Sequence, residues 1–324
     1  MKPFLHQEEK GLDDTLRLLR SWMFVPGHRQ RMIDKGLASR ADAVMLDIED
    51  GVAESEKDTA RRTIAESLDR VAEALNGPEP PCTPARYVRI NSVGHARMHA
   101  DLEAVIRPGL EGLVIPKIET LDQVRVVQEI LDERESGAGM AAGATRLLVA
   151  IESPLGLLNA HAIAGSSPRI IGLIFGAEDY GKEIGLPFQR EKEARDLLYA
   201  RSAMVVAAAA AHVQCVDGVW PDFKDIEGLG AFTLQARRLG FTGMSLIHPG
   251  QIDTINAAFT PTAAEVDYCR QVVEAFKAAT ARGDGSIAFG GQLIDPPIVE
   301  RAVRTLELAE SLKTRYPLSA GEGS

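Results

Sequence analysis

The sequence is short of the features that would place it in several large classes. It has three cysteines, Cys82, Cys215 and Cys269, odd in number, far apart and without a CxxC pair. That spacing excludes a disulfide framework or a zinc knuckle and fits a reducing compartment. No apolar run is long enough to span a bilayer, and the opening "MKPFLHQEEKGLDD" is polar and acidic, with no signal-peptide core. The expectation is a soluble, cytoplasmic protein. Positive charge is in deficit: 36 Lys and Arg face 46 Asp and Glu, a formal net charge of −10. That balance disfavours nucleic acid and anionic membrane as partners. An anionic small substrate would need locally placed cations or a metal. No GxGxxG follows the first apolar run, and no solenoid-type repeat is present.

What the chain does have is a series of short β-rich runs. Eight occur: "WMFVPG", "AVMLDIED", "RYVRIN", "GLVIPK", "RLLVAIES", "GLIFGAED", "CVDGVWPD" and "GMSLIHP". Most are continuously apolar instead of alternating, as parallel strands covered on both faces must be. Segments with helical periodicity, such as "LDQVRVVQEILDER" and "LLYARSAMVVAAAAAHV", separate them. Eight strands alternating with helices over about 230 residues match a (β/α)8 barrel better than a doubly wound open sheet. After His248 the pattern changes. A helix capped at Thr260-Pro261-Thr262 leads to "SIAFGGQLIDPP", a hairpin turning at Gly290-Gly291, and then to the amphipathic "IVERAVRTLELAESL". The sequence therefore predicts a TIM-barrel catalytic domain over 1–259 and a C-terminal helix-hairpin-helix appendage over 260–324. The loop "NGPEPPCTPA" and the tail "PLSAGEGS" read as flexible.

"VMLDIED" poses the functional question. A buried strand that ends in Asp47, Glu49 and Asp50 crowds three negative charges, which needs a cation nearby. Active sites of (β/α)8 barrels lie at the C-terminal ends of the strands. Those ends carry Pro26-Gly27-His28, Asp47-Glu49-Asp50, Arg89 and Asn91, Lys117, Glu152, Glu178-Asp179, Asp217 and Asp222, and His248. Each alone could be a helix cap or a solvated loop group, but the set converges on one face. Glu152 and Asp179 end adjacent strands. Two carboxylates without a nearby His or Cys suit a hard, oxygen-seeking cation such as Mg²⁺. Arg89, the one arginine ending a strand, is placed to grip a substrate carboxylate or to pair with Glu49 or Asp50. Lys117 adds a second positive charge for substrate. His95 and His99 form an HxxxH but lack an adjacent Glu and a third ligand. Arg29 and Arg31, after the first strand, are candidates for cofactor phosphates or merely a solvated helix face.

With these residues in view, the chain resembles the citrate lyase β-subunit-like family of the HpcH/HpaI aldolase superfamily, which includes malyl-CoA and citramalyl-CoA lyases. The carrying motifs are "RSWMFVPGHRQRM", "ADAVMLDIEDGVAESEKDTAR", "YVRIN", "VIPKIE", "AIESPLGLLNA", "GLIFGAEDY", "DGVWPDFKD" and "LIHPGQI", in order from Arg20 to Ile252, with "QLIDPP" as a C-terminal lid. The resemblance implies a Mg²⁺-dependent enzyme that makes or breaks a carbon–carbon bond beside a carbonyl. Glu152 and Asp179 match the metal acids and Arg89 the keto-acid arginine. Backbone amides of Gly176, Ala177 and Glu178 match the receiver of the other end of that acid. Asp295 matches the lid acid/base, supplied in some relatives by a neighbouring subunit, which implies a homo-oligomer, a trimer or hexamer. Two departures, Trp220-Pro221 and Ser153-Pro154, stand at strand ends and bear on substrate identity.

The implied reaction is cleavage or formation of a 3-hydroxy-acyl-CoA thioester such as malyl-, citramalyl- or citryl-CoA, giving a keto acid and an acyl-CoA. The alternatives are a subunit acting on an acyl-carrier-protein thioester within a complex, and a pyruvate-dependent aldolase acting on free aldehydes.

Overall fold

The eight apolar runs form strands that close on themselves. In the computed structural model, which describes residues 18–188 and 194–315, these are β1 (Ser21–Pro26), β2 (Ala43–Asp47), β3 (Ala85–Arg89), β4 (Gly112–Ile115), β5 (Arg146–Ile151), β6 (Ile170–Phe175), β7 (Gln214–Asp217) and β8 (Gly243–Leu246). All neighbours are parallel, and β8 pairs with β1 to complete the barrel. The polar opening segment and the "PLSAGEGS" tail lie outside the described residues. Helices α1 (Gln30–Leu37), α2 (Lys57–Leu75), α3 (Met98–Val105), α4 (Leu121–Gly137), α5 (Pro154–Ala164), α6 (Ala177–Glu183), α7 (Leu198–Ala210) and α8 (Ile226–Leu239) alternate with the strands. This is the (β/α)8 TIM barrel.

The interior is filled as the continuous apolar runs require. Trp22, Met45, Tyr87, Val114, Leu148, Ile174 and Val216 form one buried cluster, with Trp22 and Tyr87 edge to face at 4.8 Å. The Trp22 indole N–H donates to the Leu19 carbonyl at 3.0 Å, so its polar edge is satisfied. Buried ion pairs tie the walls together: Arg20 with Asp42 at 2.8 Å, and Arg169 with Glu135 at 2.7 Å. The strand register then fixes the site. Asp47 and Arg89 are Cα partners across β2 and β3, and Ile151 and Phe175 across β5 and β6, so the residues that follow these ends are neighbours.

The chain divides into two compact units after Asn256. Helix α9 (Ile252–Phe259) spans the division. In the second unit, α10 (Ala263–Thr280) is opened by a capping box, in which Thr262 Oγ1 accepts from the Glu265 amide and Glu265 Oε2 from the Thr262 amide. The hairpin β9 (Ile287–Phe289) and β10 (Gln292–Ile294) turns through Gly290 and Gly291 at φ +58° and +79°, the left-handed pair of a type I′ turn. Helix α11 (Pro296–Arg315) follows, and a core of Val272, Val273, Ile294 and Ala302 joins these elements.

Candidate active site

Strand β2 ends in the acidic cluster, and its compensation is complete. Arg89 Nε and Nη2 donate to the two oxygens of Asp47 at 2.7 Å each, a side-on fork. Asp47 also accepts the amides of Glu49 and Gly51, both at 2.9 Å. Arg89 Nη1 lies 3.0 Å from Glu49 Oε2, and the Phe24 ring covers its guanidinium at 4.7 Å. Burial alone would weaken that positive charge. Asp47 first, then Glu49 and Glu152, outweigh burial and raise the Arg89 pKa further above its ordinary value.

Lys117 sits on the far side of Glu49. Its Nζ donates to Glu49 Oε1 at 2.6 Å and to Asp50 Oδ2 at 2.9 Å. A third cation, Lys57, escapes sequence reading because it looks like an ordinary helix residue in "ESEKDTAR". It is buried, donating to the Ile48 and Glu49 carbonyls at 2.8 and 3.0 Å and to Asn91 Oδ1 at 2.7 Å. Asn91 is in turn fixed by Asp101, whose Oδ2 accepts its side-chain amide at 2.6 Å. The spacing of a lysine ten residues after Asp47 is the one signal that could have found it.

Strands β5 and β6 carry the uncompensated acids. Glu152 and Asp179 line a cavity of ≈ 140 Å³ together with Arg89, Phe24, Gly176, Ala177 and Glu178. No donor among the described residues hydrogen-bonds either carboxylate. Burial, followed by the charges of Glu49 and Asp179, pushes the Glu152 carboxyl from 4.5 to about 8, with Arg89 and Lys117 opposing. Gly176 permits this placement, because a Cβ there would lie 2.3 Å from the Glu152 side chain. Oxygen-only ligands, buried and without donors, fit a hard cation such as Mg²⁺. Among the described residues no cluster of three or more His, Cys, Asp or Glu is poised for a metal.

Several expectations change. Arg89 has already given its side-on fork to Asp47, so a substrate carboxylate can meet only its outer nitrogens. Of its two expected partners, Glu49 lies 3.0 Å from Nη1, whereas Asp50 is hydrogen-bonded to Lys117. Lys117, Glu49 and Asp50 line a hollow of ≈ 280 Å³ together with Lys57, Asn91 and His95. The Gly176 amide is spent on the Ile151 carbonyl at 3.0 Å, while Ala177 and Glu178 open α6 at the cavity. Asp217, fully buried against Arg201 at 2.6 Å, is structural. Asp222 and His248 serve turns, accepting the Lys224 and Gly250 amides at 3.0 Å.

Other residues fall outside the cavity. Arg29 and Arg31 are exposed, and Arg29 Nε donates to His28 at 2.9 Å. His95 precedes α3 and His99 lies within it, so they do not share a helical face. Ser153 caps α5, accepting the Gly156 amide at 3.0 Å with Pro154 in the first turn. The Trp220 ring packs on Phe232 at 5.4 Å. Asp295 lies in the second unit, where it ends β10 and caps α11, its Oδ1 3.4 Å from the Ile298 amide. No helix of the described residues is long and apolar enough to cross a membrane.

Residues 20–249 match the model of the family described as HpcH/HpaI aldolase/citrate lyase. The chain is 38% identical to the citrate lyase subunit beta of Escherichia coli K12 over 91% of its length and 94% of that protein. It is 33% identical to the mitochondrial citramalyl-CoA lyase of Rattus norvegicus, over 91% of this chain and 87% of that one. Among solved structures, the protein CitE of Mycobacterium tuberculosis, crystallised with magnesium, acetoacetate and coenzyme A, superposes with a TM-score of 0.71. It is 30% identical, over 91% of this chain and 99% of that one.

Proposed function

Because the chain belongs to the HpcH/HpaI aldolase/citrate lyase family and is a lyase of acyl thioesters, we propose that it works on a 3-hydroxy-acyl-CoA carrying a second carboxylate, with Mg²⁺ as cofactor. Malyl-, citramalyl- and citryl-CoA are the substrates of that class. The observation that carries the reading is the pairing of Glu152 and Asp179, without hydrogen-bond donors among the described residues, in one cavity with Arg89. The CitE complex with magnesium, acetoacetate and coenzyme A supports the same ligand set.

Glu152 and Asp179 would hold the ion. Bound there, Mg²⁺ would polarise the substrate's hydroxyl and carboxylate oxygens and ease loss of the hydroxyl proton. Arg89, kept rigid by Asp47 and Phe24, offers its outer N–H groups to the keto-acid carboxylate. The turn of Ala177 and Glu178, at the start of α6 and lining the cavity, is the proposed receiver of the other end of that acid. Phe24, Val114, Ile174 and Val219 line the cavity with apolar surface. That surface keeps water from the thioester enolate left by cleavage, which water would otherwise compete to protonate. On the resemblance alone, Asp295 is assigned as the acid that protonates the enolate carbon and as the base in the reverse direction. Arg29 and Arg31 remain the proposed contacts for the coenzyme's phosphates, and a homo-oligomer the proposed assembly.

The test is a screen of the purified protein with malyl-, citramalyl- and citryl-CoA, with and without Mg²⁺. Cleavage of at least one ester that stops when Mg²⁺ is withdrawn is the expected result. Inertness towards all three free esters, with activity on an acyl-carrier-protein thioester, would replace this reading with that of a complex-bound citrate lyase β subunit, which the 38% identity to the Escherichia coli subunit favours as the alternative.

A further inference from the structure

Glu49 has a carboxylate oxygen left over. The residue is 4% exposed, and its Oε2 lies 3.0 Å from Arg89 Nη1 yet accepts no hydrogen bond. A free carboxylate at that distance would turn to align with the guanidinium, because charge-assisted hydrogen bonds are among the strongest. The restraint acts on the other oxygen. Lys117 Nζ donates to Oε1 at 2.6 Å and also reaches Asp50 Oδ2 at 2.9 Å. Lys117 itself has φ +55°, a left-handed conformation that a residue with a Cβ holds only where its surroundings enforce it. Asp47 meanwhile occupies Nε and Nη2 of Arg89. Nη1 is therefore the guanidinium nitrogen with no hydrogen-bonded acceptor among the described residues.

We propose that Lys117 is a positioning residue for Arg89, acting through Glu49: by tethering Oε1 it keeps Oε2 off the hydrogen-bonding line of Nη1 and leaves those N–H groups to the carboxylate of an α-keto acid. The inference rests on the reading of Arg89 as the keto-acid ligand. Lys117 then makes no contact with substrate. Glu49 still neutralises Arg89 by proximity, so the arginine is compensated without being blocked. Without the tether, Glu49 turns onto Nη1 and competes with the substrate.

The experiment is calorimetric titration of pyruvate, as the simplest α-keto acid, into the full-length protein with Mg²⁺ present. Lys117→Met should weaken binding about tenfold, the size of one charge-assisted hydrogen bond, and Lys117→Arg should restore it to within about threefold. In a Glu49→Gln background, where the charged competitor is gone, Lys117→Met should change affinity by less than about threefold. Mg²⁺ affinity should be the same in every Lys117 variant. Equal losses of pyruvate affinity in both backgrounds would mean that Lys117 meets the substrate itself, and the proposal is then wrong. Unchanged binding in Lys117→Met, or a parallel loss of Mg²⁺ affinity, would also overturn it. If Lys117→Met does not fold, Lys117→Gln keeps a donor for Oε1 without the charge and should show an intermediate loss that again disappears with Glu49→Gln. Arg89→Ala is the control for the premise: wild-type pyruvate affinity there would remove Arg89 as the keto-acid ligand, and this inference with it.

Discussion

Glu152→Gln isolates the electrostatics of the metal site, because it keeps the shape of the side chain and removes its titration. In the metal-free protein the Glu152 carboxyl titrates at about 8 instead of 4.5, raised mainly by burial and next by Glu49 and Asp179. A raised acid binds its proton more tightly in the folded state than in the unfolded one. Its contribution to stability is therefore fully present below 4.5 and is lost as pH rises through 8. At about 1.4 kcal/mol per pH unit, the span corresponds to about 5 kcal/mol. At about 2 °C per kcal/mol, thermal unfolding in EDTA should show wild type losing about 10 °C relative to Glu152→Gln between pH 4.5 and 8.5. The variant should be the more stable protein at the alkaline end. Saturating Mg²⁺ should reverse that order, since a cation between Glu152 and Asp179 favours the ionised form and stabilises only the state that binds it. Parallel pH profiles for the two proteins in EDTA would refute the argument.

Alanine at Glu152 or at Asp179 should abolish Mg²⁺ binding while leaving the barrel folded, which calorimetry and circular dichroism together would check. Arg89→Lys should bind keto acid within about a factor of ten of Arg89→Ala, because a point charge cannot both satisfy the Asp47 fork and face the cavity; wild-type pyruvate affinity in the lysine variant would contradict this. Asp295→Asn retains the cap on α11 but loses the titrating proton, so Mg²⁺ and pyruvate affinities should hold while thioester cleavage falls by ~10²–10⁴. Mixed oligomers of Asp295→Asn and Arg89→Ala subunits should regain part of the activity if the acid comes from a neighbour, and none if each subunit is self-contained.

The barrel was legible because continuous apolar runs of strand length have few other uses, and the runs from Trp22 to His248 supplied all of its strands. The direction of the parallel strands then carried Arg89, Glu152 and Asp179 to one cavity without further information. What pattern reading could not supply was pairing. Asp47 and Arg89 are far apart in sequence and meet only because β2 and β3 are in register. The choice of Asp47 over Asp50 as the partner of Arg89 follows from that register. Lys57 was hidden for a related reason. A lysine in a first helical turn reads as solvated, and only the return of α2 over the end of β2 buries it against two carbonyls.

The crowd of acids in "VMLDIED" is therefore balanced on its own side of the barrel. Asp47 answers to Arg89, Asp50 to Lys117, and Glu49 to both, while Lys57 donates to the Ile48 and Glu49 carbonyls between them. Across the cavity, no donor among the described residues hydrogen-bonds Glu152 or Asp179, and Arg89 beside them is already engaged by Asp47 and Glu49. An arrangement selected for stability alone would not leave a buried glutamate beside a second carboxylate, since the pair pushes one proton affinity far up. The asymmetry has a direction: the β2–β4 side presents an arginine at fixed orientation, and the β5–β6 side presents two oxygen ligands short of a positive charge. A bidentate anion bridging a hard cation and a guanidinium completes both halves at once. That complementarity favours an α-keto acid over a simple aldehyde, because an aldehyde lacks the carboxylate that Arg89 is held in place to meet.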